Sequence, residues 1–286
     1  MTSKLLFQLD TDAHASIFDT VAGYDGGADH VIGHANITPE NVGGLVEGAI
    51  FTRGAKEKRF TALFLGGASM AAGEALLDAI QAKFYGGFRV SVMLDSNGAN
   101  TTAAAGVALL AKASSLAGKR ATVLGGTGPV GMRVAAMLAL EGAEVSITGR
   151  KLDKTQTAGT AIAQRFNVRI QPIEAPDDAA RARAADGSAI IYAAGAIGHR
   201  LIAQANWQSM ASLHLVADVN PEPPFGIGGI AANDKAQDYD GKLAFGALGI
   251  GGLKLRLHRA CIGKLFEQND LVLDAENILA IAKEMA

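Results

Sequence analysis

The feature that most constrains this chain is residues 118–151, GKRATVLGGTGPVGMRVAAMLALEGAEVSITGRK. An apolar run at 121–124 enters Gly126-Thr127-Gly128-Pro129-Val130-Gly131, and an alanine- and leucine-rich segment of helical spacing follows at once. That order predicts strand, glycine turn and helix. In a dinucleotide-binding fold the first glycine permits the turn, the second admits a pyrophosphate to the backbone, and the third lets helix and strand pack closely. Free N–H groups at the helix start then face phosphate. The next strand, 144–148, ends in Gly149-Arg150-Lys151, where an acidic residue for a ribose 2′-hydroxyl would ordinarily stand. Two cations there suit a 2′-phosphate, which a guanidinium grips bidentately, so the expected cofactor is NADP. The plainer readings are an ordinary glycine turn and a solvated strand end.

Strand and helix alternate on both sides of this unit, which predicts a mainly parallel sheet in each of two α/β domains. The expected boundaries are 1–102 for a substrate-binding α/β domain and 103–271 for a Rossmann-type domain, with a helix at 272–286 packing back on the first and a ligand cleft between them. With 286 residues the chain is long enough for two full cores.

In the first domain a buried strand at 5–9 ends in the polar tip 10–12, with Phe18 and Asp19 close behind. Asp12 or Ser16 is either a site wall or a helix cap. Val31 and Ile32 mark a short strand, and Thr38-Pro39 predicts a capped helix start running toward Ala49. A charged connection at 52–59 precedes a strand at 61–65, a helix at 70–84 and a strand at 88–94. That last strand empties into the polar tip 95–102, which holds Asn97, Thr101 and Thr102, before a helix at 103–113.

Beyond Lys151 the pattern predicts helix to 166, strand 168–171, helix 176–185, strand 189–193 and strand 213–217. Ala194-Gly195-Ala196 after the fourth strand of this domain admits a cofactor closely, and Asp218 and Asn220 form the tip of the next. Prolines at 221, 223 and 224 make the following loop stiff. The glycine-rich stretch 245–252 opens a helix at 253–266, with Lys254 and His258 four apart near its start, and a last helix covers 274–285.

The net charge of −2 implies no broad basic face for nucleic acid. The single cysteine, Cys261, excludes an internal disulfide framework, and no histidine spacing suggests a metal site. No secretory signal or membrane span is legible, so a cytoplasmic protein is expected. No nucleotide-hydrolysis loop or nucleophile elbow occurs. Hydride transfer, which needs chiefly two apposed rings, suits the sequence better than acid–base hydrolysis.

FQLDTDAHASIFD at the start, DSNGANTTAAAG, GGTGPVG with TGRKLDK, DVNPEPPFGIGGI and FGALGIGGLKLRLHRACI together closely resemble the NADP-dependent methylene-tetrahydromethanopterin dehydrogenases of methylotrophic bacteria, along nearly the whole chain. The resemblance implies hydride transfer from the methylene bridge of methylene-tetrahydromethanopterin, or of methylene-tetrahydrofolate, to NADP, giving the methenyl form in one-carbon metabolism. It places the pterin near Phe18, Thr102, Lys254 and His258, with Asp19, Asn97 and Thr101 beside them, and Lys254 carries the strongest expected rate effect. It also implies a homo-oligomer, a trimer. The alternatives are another NADP-dependent dehydrogenase of the shikimate or tetrahydrofolate type, and a non-catalytic NADPH-binding sensor.

Overall fold

The computed structural model describes residues 2–286. The chain divides into two compact units, Met1–Thr101 with Leu255–Ile281, and Thr102–Lys254 with Ala282–Ala286. The stretch from Leu255, grouped by the sequence reading with the dinucleotide-binding domain, is thus counted with the first unit.

The first unit alternates β1 (Leu5–Asp10), α1 (Ile17–Asp25), β2 (His30–His34), α2 (Gly43–Phe51), β3 (Thr61–Gly66), α3 (Met70–Gln81) and β4 (Ser91–Leu94), and α4 (Ala99–Ala113) starts in it. Every residue of β3 and of β4 is buried, as in a parallel sheet with both faces covered. The core gathers Leu9, Val46, Leu63, Leu65, Leu76, Ile80 and Val92. Two expectations fail locally. Asn41 Oδ1 accepts from the Thr38 N–H at 2.8 Å, so Thr38-Pro39 forms a side-chain-closed turn and the helix begins only at Gly43. Likewise residues 88–90 are not strand, because pairing with β3 begins at Ala62↔Ser91.

The second unit runs through β5 (Arg120–Leu124), α5 (Pro129–Leu140), β6 (Glu144–Gly149), α6 (Leu152–Phe166), β7 (Ile170–Glu174), α7 (Asp178–Ala185), β8 (Ile190–Ala193), α8 (Gln204–Gln208), β9 (Leu215–Asp218), β10 (Lys235–Tyr239) and β11 (Lys242–Phe245) to α9 (Ala247–Lys264). Its seven-stranded sheet has the order β10-β11-β9-β8-β5-β6-β7. All neighbours are parallel except β10 and β11. Omitting the antiparallel edge β10, this is the doubly wound order whose switch point lies between β5 and β8. Pro172 is tolerated in β7 because that strand pairs on one side only.

The expected helix start at 253 is overturned, since α9 begins at Ala247. Lys254 and His258 therefore sit in mid-helix, remote from the N-terminal N–H groups. The glycines that suggested a loop serve packing instead: a Cβ on Gly246 would stand 2.0 Å from the Ala231 carbonyl and one on Gly249 1.9 Å from that of Asp234.

The last elements are β12 (Val272–Leu273) and α10 (Ala275–Met285). β12 joins the first unit's sheet, in the order β12-β4-β3-β1-β2, all parallel. Among the described residues no helix is long and apolar enough to cross a membrane.

Candidate active site

In the second unit, the carboxyl ends of β5, β6 and β8 frame a cavity of ≈ 450 Å³. Gly125, Thr127 and Gly128 line it from the β5 turn, Gly149 and Arg150 from the β6 tip, and Ala194, Gly195 and Ala196 from the β8 tip. Gly128 and Gly131 act as the motif requires, whereas the left-handed turn conformation falls to Gly125, with φ +75°, and not to Gly126. A Cβ on Gly131 would lie 2.4 Å from the Gly125 carbonyl, and one on Gly126 2.5 Å from Ile147 Cβ, whereas one on Gly128 would meet nothing nearer than 3.8 Å. Gly131 thus lets α5 close on the end of β5, Gly126 lets the turn pack on β6, and Gly128 leaves the floor open to a ligand. Gly128 is also the N-cap of α5 and Pro129 opens the helix, so Val130 and its neighbours present N–H groups at a helix start. A dinucleotide's pyrophosphate fits this cradle.

The cavity is lined by basic side chains that sequence reasoning did not single out. Arg181, His199 and Arg200 line it with Arg150. Lys151, exposed at the N-cap of α6, is not among the lining residues. Arg181 donates to the carbonyls of Leu201, Ala175 and Pro176, which ties the β7-tip wall to the β8-tip wall. Burial lowers its pKa, while Asp178 and Asp177 oppose that shift. Gly125, also missed, has φ +75° and would place a Cβ 2.8 Å from the Gly195 backbone.

Asp218 and Asn220 do not line the cavity; they are buried and knot the loop behind it. Asp218 accepts from the N–H groups of Asn220 and Ile227, both at 2.9 Å. Burial nevertheless pushes its carboxyl up to about 6, against the lowering effect of those N–H groups and that of Gly226. Asn220 Oδ1 in turn accepts from the N–H of Gly198 at 3.3 Å, within the loop that carries His199 and Arg200.

In the first unit, sheet tips and two helices gather most of the predicted substrate residues. Ser16 caps α1 by accepting from the Asp19 N–H, which places Phe18 and Asp19 in its first turn. His258 is 1% exposed. Phe64 stacks on its ring at 5.4 Å and Phe18, half exposed, meets it edge-on at 5.9 Å. Its Nδ1 lies 3.4 Å from Asp95 Oδ2 and its Nε2 4.0 Å from Asp19 Oδ1. Asp95, at the end of β4, also receives the N–H and hydroxyl of Thr101 at 2.9 and 2.6 Å. Asn97 is exposed with φ 57°. Its N–H and amide nitrogen donate to the carbonyls of Gly67 and Ala68. Thr102 and Lys254, both half-buried, are counted with the second unit.

A doubly wound sheet with a glycine-floored cavity at its switch point defines a Rossmann-type dinucleotide-binding protein. The sequence comparisons then give the family. The model for the N-terminal part of methylene-tetrahydromethanopterin dehydrogenase matches residues 17–97. Across 288 residues, and all of both chains, this sequence is 61% identical to the "Bifunctional protein MdtA" of Methylorubrum extorquens AM1. To that organism's "NAD(P)-dependent methylenetetrahydromethanopterin dehydrogenase" it is 28% identical over 296 residues, again over all of both chains. The solved ligand-free 5-ketofructose reductase of Gluconobacter sp. strain CHM43 aligns over 99% of both chains with a TM-score of 0.54 at 19% identity, a likeness of fold. The chain belongs to the methylene-tetrahydromethanopterin dehydrogenase family of NAD(P)-dependent oxidoreductases.

Proposed function

We propose that this protein oxidises the N5–CH2–N10 bridge of methylene-tetrahydromethanopterin, and of methylene-tetrahydrofolate, to the methenyl form, with NADP as hydride acceptor. The observation that carries the cofactor preference is Arg150 at the β6 tip, lining the cavity together with Arg181 and Arg200 where a carboxylate would select NAD. Bound NADP supplies the acceptor ring, and the pterin nitrogens supply electron density as hydride leaves. No proton need move in that step. The chain's own groups therefore bind, orient and exclude water. Arg150 holds the 2′-phosphate with Lys151 adding charge beside it, Thr127–Gly131 receive the pyrophosphate, and Ala194–Ala196 give the cofactor close passage.

For the pterin, Phe18 supplies a ring face, while Asp19, Asn97, Thr101 and Thr102 orient polar edges. His258 is too buried for broad contact and acts through Asp19 and Phe18, which it backs. Lys254 orients a ring heteroatom. A cation beside a cationic product would oppose the reaction, so its contribution is placement rather than charge stabilisation. The trimer implied by the resemblance belongs to this reading, and the exposed Ile17, Val21 and Tyr24 on α1 suit self-association.

Near-ultraviolet absorbance with NADP or NAD and either methylene pterin, in all four pairings, tests the reaction. Methenyl product with NADP is expected from both pterins. Bound NADP with no methenyl product in any pairing would leave only the family fold standing. Lys254→Ala is expected to lower turnover about tenfold or more, the scale of a misplaced orienting group, with NADP affinity kept; unchanged turnover would remove Lys254 from the site.

A further inference from the structure

The basic tip of β6 has an acidic neighbour that belongs to none of the motifs named above. Arg150 and Lys151 follow the end of β6, and α6 starts at the next residue, Leu152. The N-cap of that helix is Lys151, whose side chain makes no capping hydrogen bond. A lysine side chain carries donors only, so the orphan N–H groups of the first turn need an acceptor from elsewhere. Glu174, the last residue of β7, supplies one: its Oε1 accepts from the Leu152 N–H at 3.3 Å. The strand register brings it there, because Glu174 is the partner of Gly149, and neighbouring strands run about 4.8 Å apart.

The residues around Glu174 line the cofactor cavity: Gly149 opposite it, Arg150 beyond that, and Ala175 next to it in the chain. Glu174 itself is exposed and is not a lining residue, so its carboxylate acts through charge rather than contact. That charge is fixed on the N–H of a residue only two positions beyond Arg150. A phosphate monoester at Arg150 carries close to two negative charges, and a like charge held nearby opposes it.

We propose that Glu174 is a specificity-determining residue of the cofactor site: by capping α6 with a fixed negative charge beside Arg150, it weakens the grip of the basic tip on a 2′-phosphate and narrows the preference for NADP over NAD. This rests on the reading of the cavity as an NADP site. The helix gains from the carboxylate, since a negative charge meets the positive end of the α6 dipole. The ligand loses by it, for the same charge repels the phosphate that Arg150 attracts. NAD has no 2′-phosphate, and its pyrophosphate belongs at the start of α5, so its binding is far less sensitive.

Glu174→Gln removes the charge and keeps an oxygen for the Leu152 N–H. Calorimetric titration of the whole protein with NADP and with NAD, at low salt and without substrate, reads the effect. NADP is expected to bind about two- to fivefold more tightly, the scale of one like charge at short range near a protein surface, with NAD almost unchanged. The gain should shrink in about 0.5 M salt, where charges are screened over a few ångströms. Glu144→Gln, an exposed site at the opposite end of β6, changes the net charge equally and is expected to alter neither constant. Damage to the fold weakens binding, so a gain in affinity cannot come from a misfolded variant. Unchanged or weaker NADP binding in folded Glu174→Gln overturns the proposal, as does a gain shared equally by NAD or by Glu144→Gln. If the unsubstituted protein turns over neither methylene pterin, the proposed reaction falls, while the two dissociation constants still decide the role of Glu174.

Discussion

Arg150 and Asp218 illustrate how differently two charged residues at strand tips behave. Arg150 is exposed and lines the cavity. Its replacement by Ala is expected to raise KM for NADP by an amount equivalent to about 1.5–3 kcal/mol, a lost charged hydrogen bond, with KM for NAD almost unchanged. Equal effects on both cofactors would take Arg150 off the 2′-phosphate. Asp218, by contrast, is buried, with its carboxyl pushed up to about 6 from an ordinary 3.8. The folded protein therefore holds this proton more tightly than the unfolded chain, and folding gains from it below the unfolded value. That gain is lost as pH rises to the folded value. Urea unfolding between pH 4 and 6.5 is expected to show a downward contribution to stability of about 2–3 kcal/mol from this group. Asp218→Asn should remove that contribution; an identical pH profile in the two proteins would contradict it.

At the scale of elements, the β5–α5 junction depends on close approach rather than on side-chain contacts. Gly131→Ala would set a methyl group 2.4 Å from the Gly125 carbonyl, and the backbone must move to admit it. The expected cost is about 1–3 kcal/mol of stability, as for an overpacked core, together with weaker NADP binding. Gly128→Ala has room, 3.8 Å to its nearest neighbour, and should fold normally while obstructing the cofactor. Thermal melts with and without NADP separate the two effects, and equal stability losses in both variants would undo the division of roles. The β10–β11 hairpin escaped the sequence reading although its turn was written plainly. Asp240 and Gly241 both take positive φ, 54° and 84°, the conformation for which Asp-Gly is the standard two-residue loop. Its strands were hidden because β10 is polar and mostly exposed, so apolar runs did not mark them.

For the whole molecule, a ligand that binds only the folded chain raises stability by mass action. NADP at about 100 times its dissociation constant should add about 2.7 kcal/mol, and NAD at the same concentration much less. Matching shifts from both cofactors would argue against 2′-phosphate recognition. The Rossmann-type unit could be read in advance because its strand, glycine turn and helix are contiguous, and each carries a local signature: an apolar run, small residues at fixed offsets, and helical spacing. The family was legible for the same reason, through short stretches spread along the chain. Other features depend on residues far apart in sequence. His258 meets Asp95 and Asp19 only because α9 packs in the first unit, and no spacing rule links positions so distant. Arg181 enters the cofactor cavity because α7 follows the β7 edge strand, and Asp218 leaves the cavity for the loop behind it. The start of α9 was obscured by glycines whose purpose, contact with the backbone at Ala231 and Asp234, exists only after folding. Sequence alone thus determined what is local and periodic: the alternating elements, the phosphate-binding turn and the family. Tertiary structure decided burial, partners and the direction each polar side chain faces, because these arise from packing between segments that the chain brings together only when it folds.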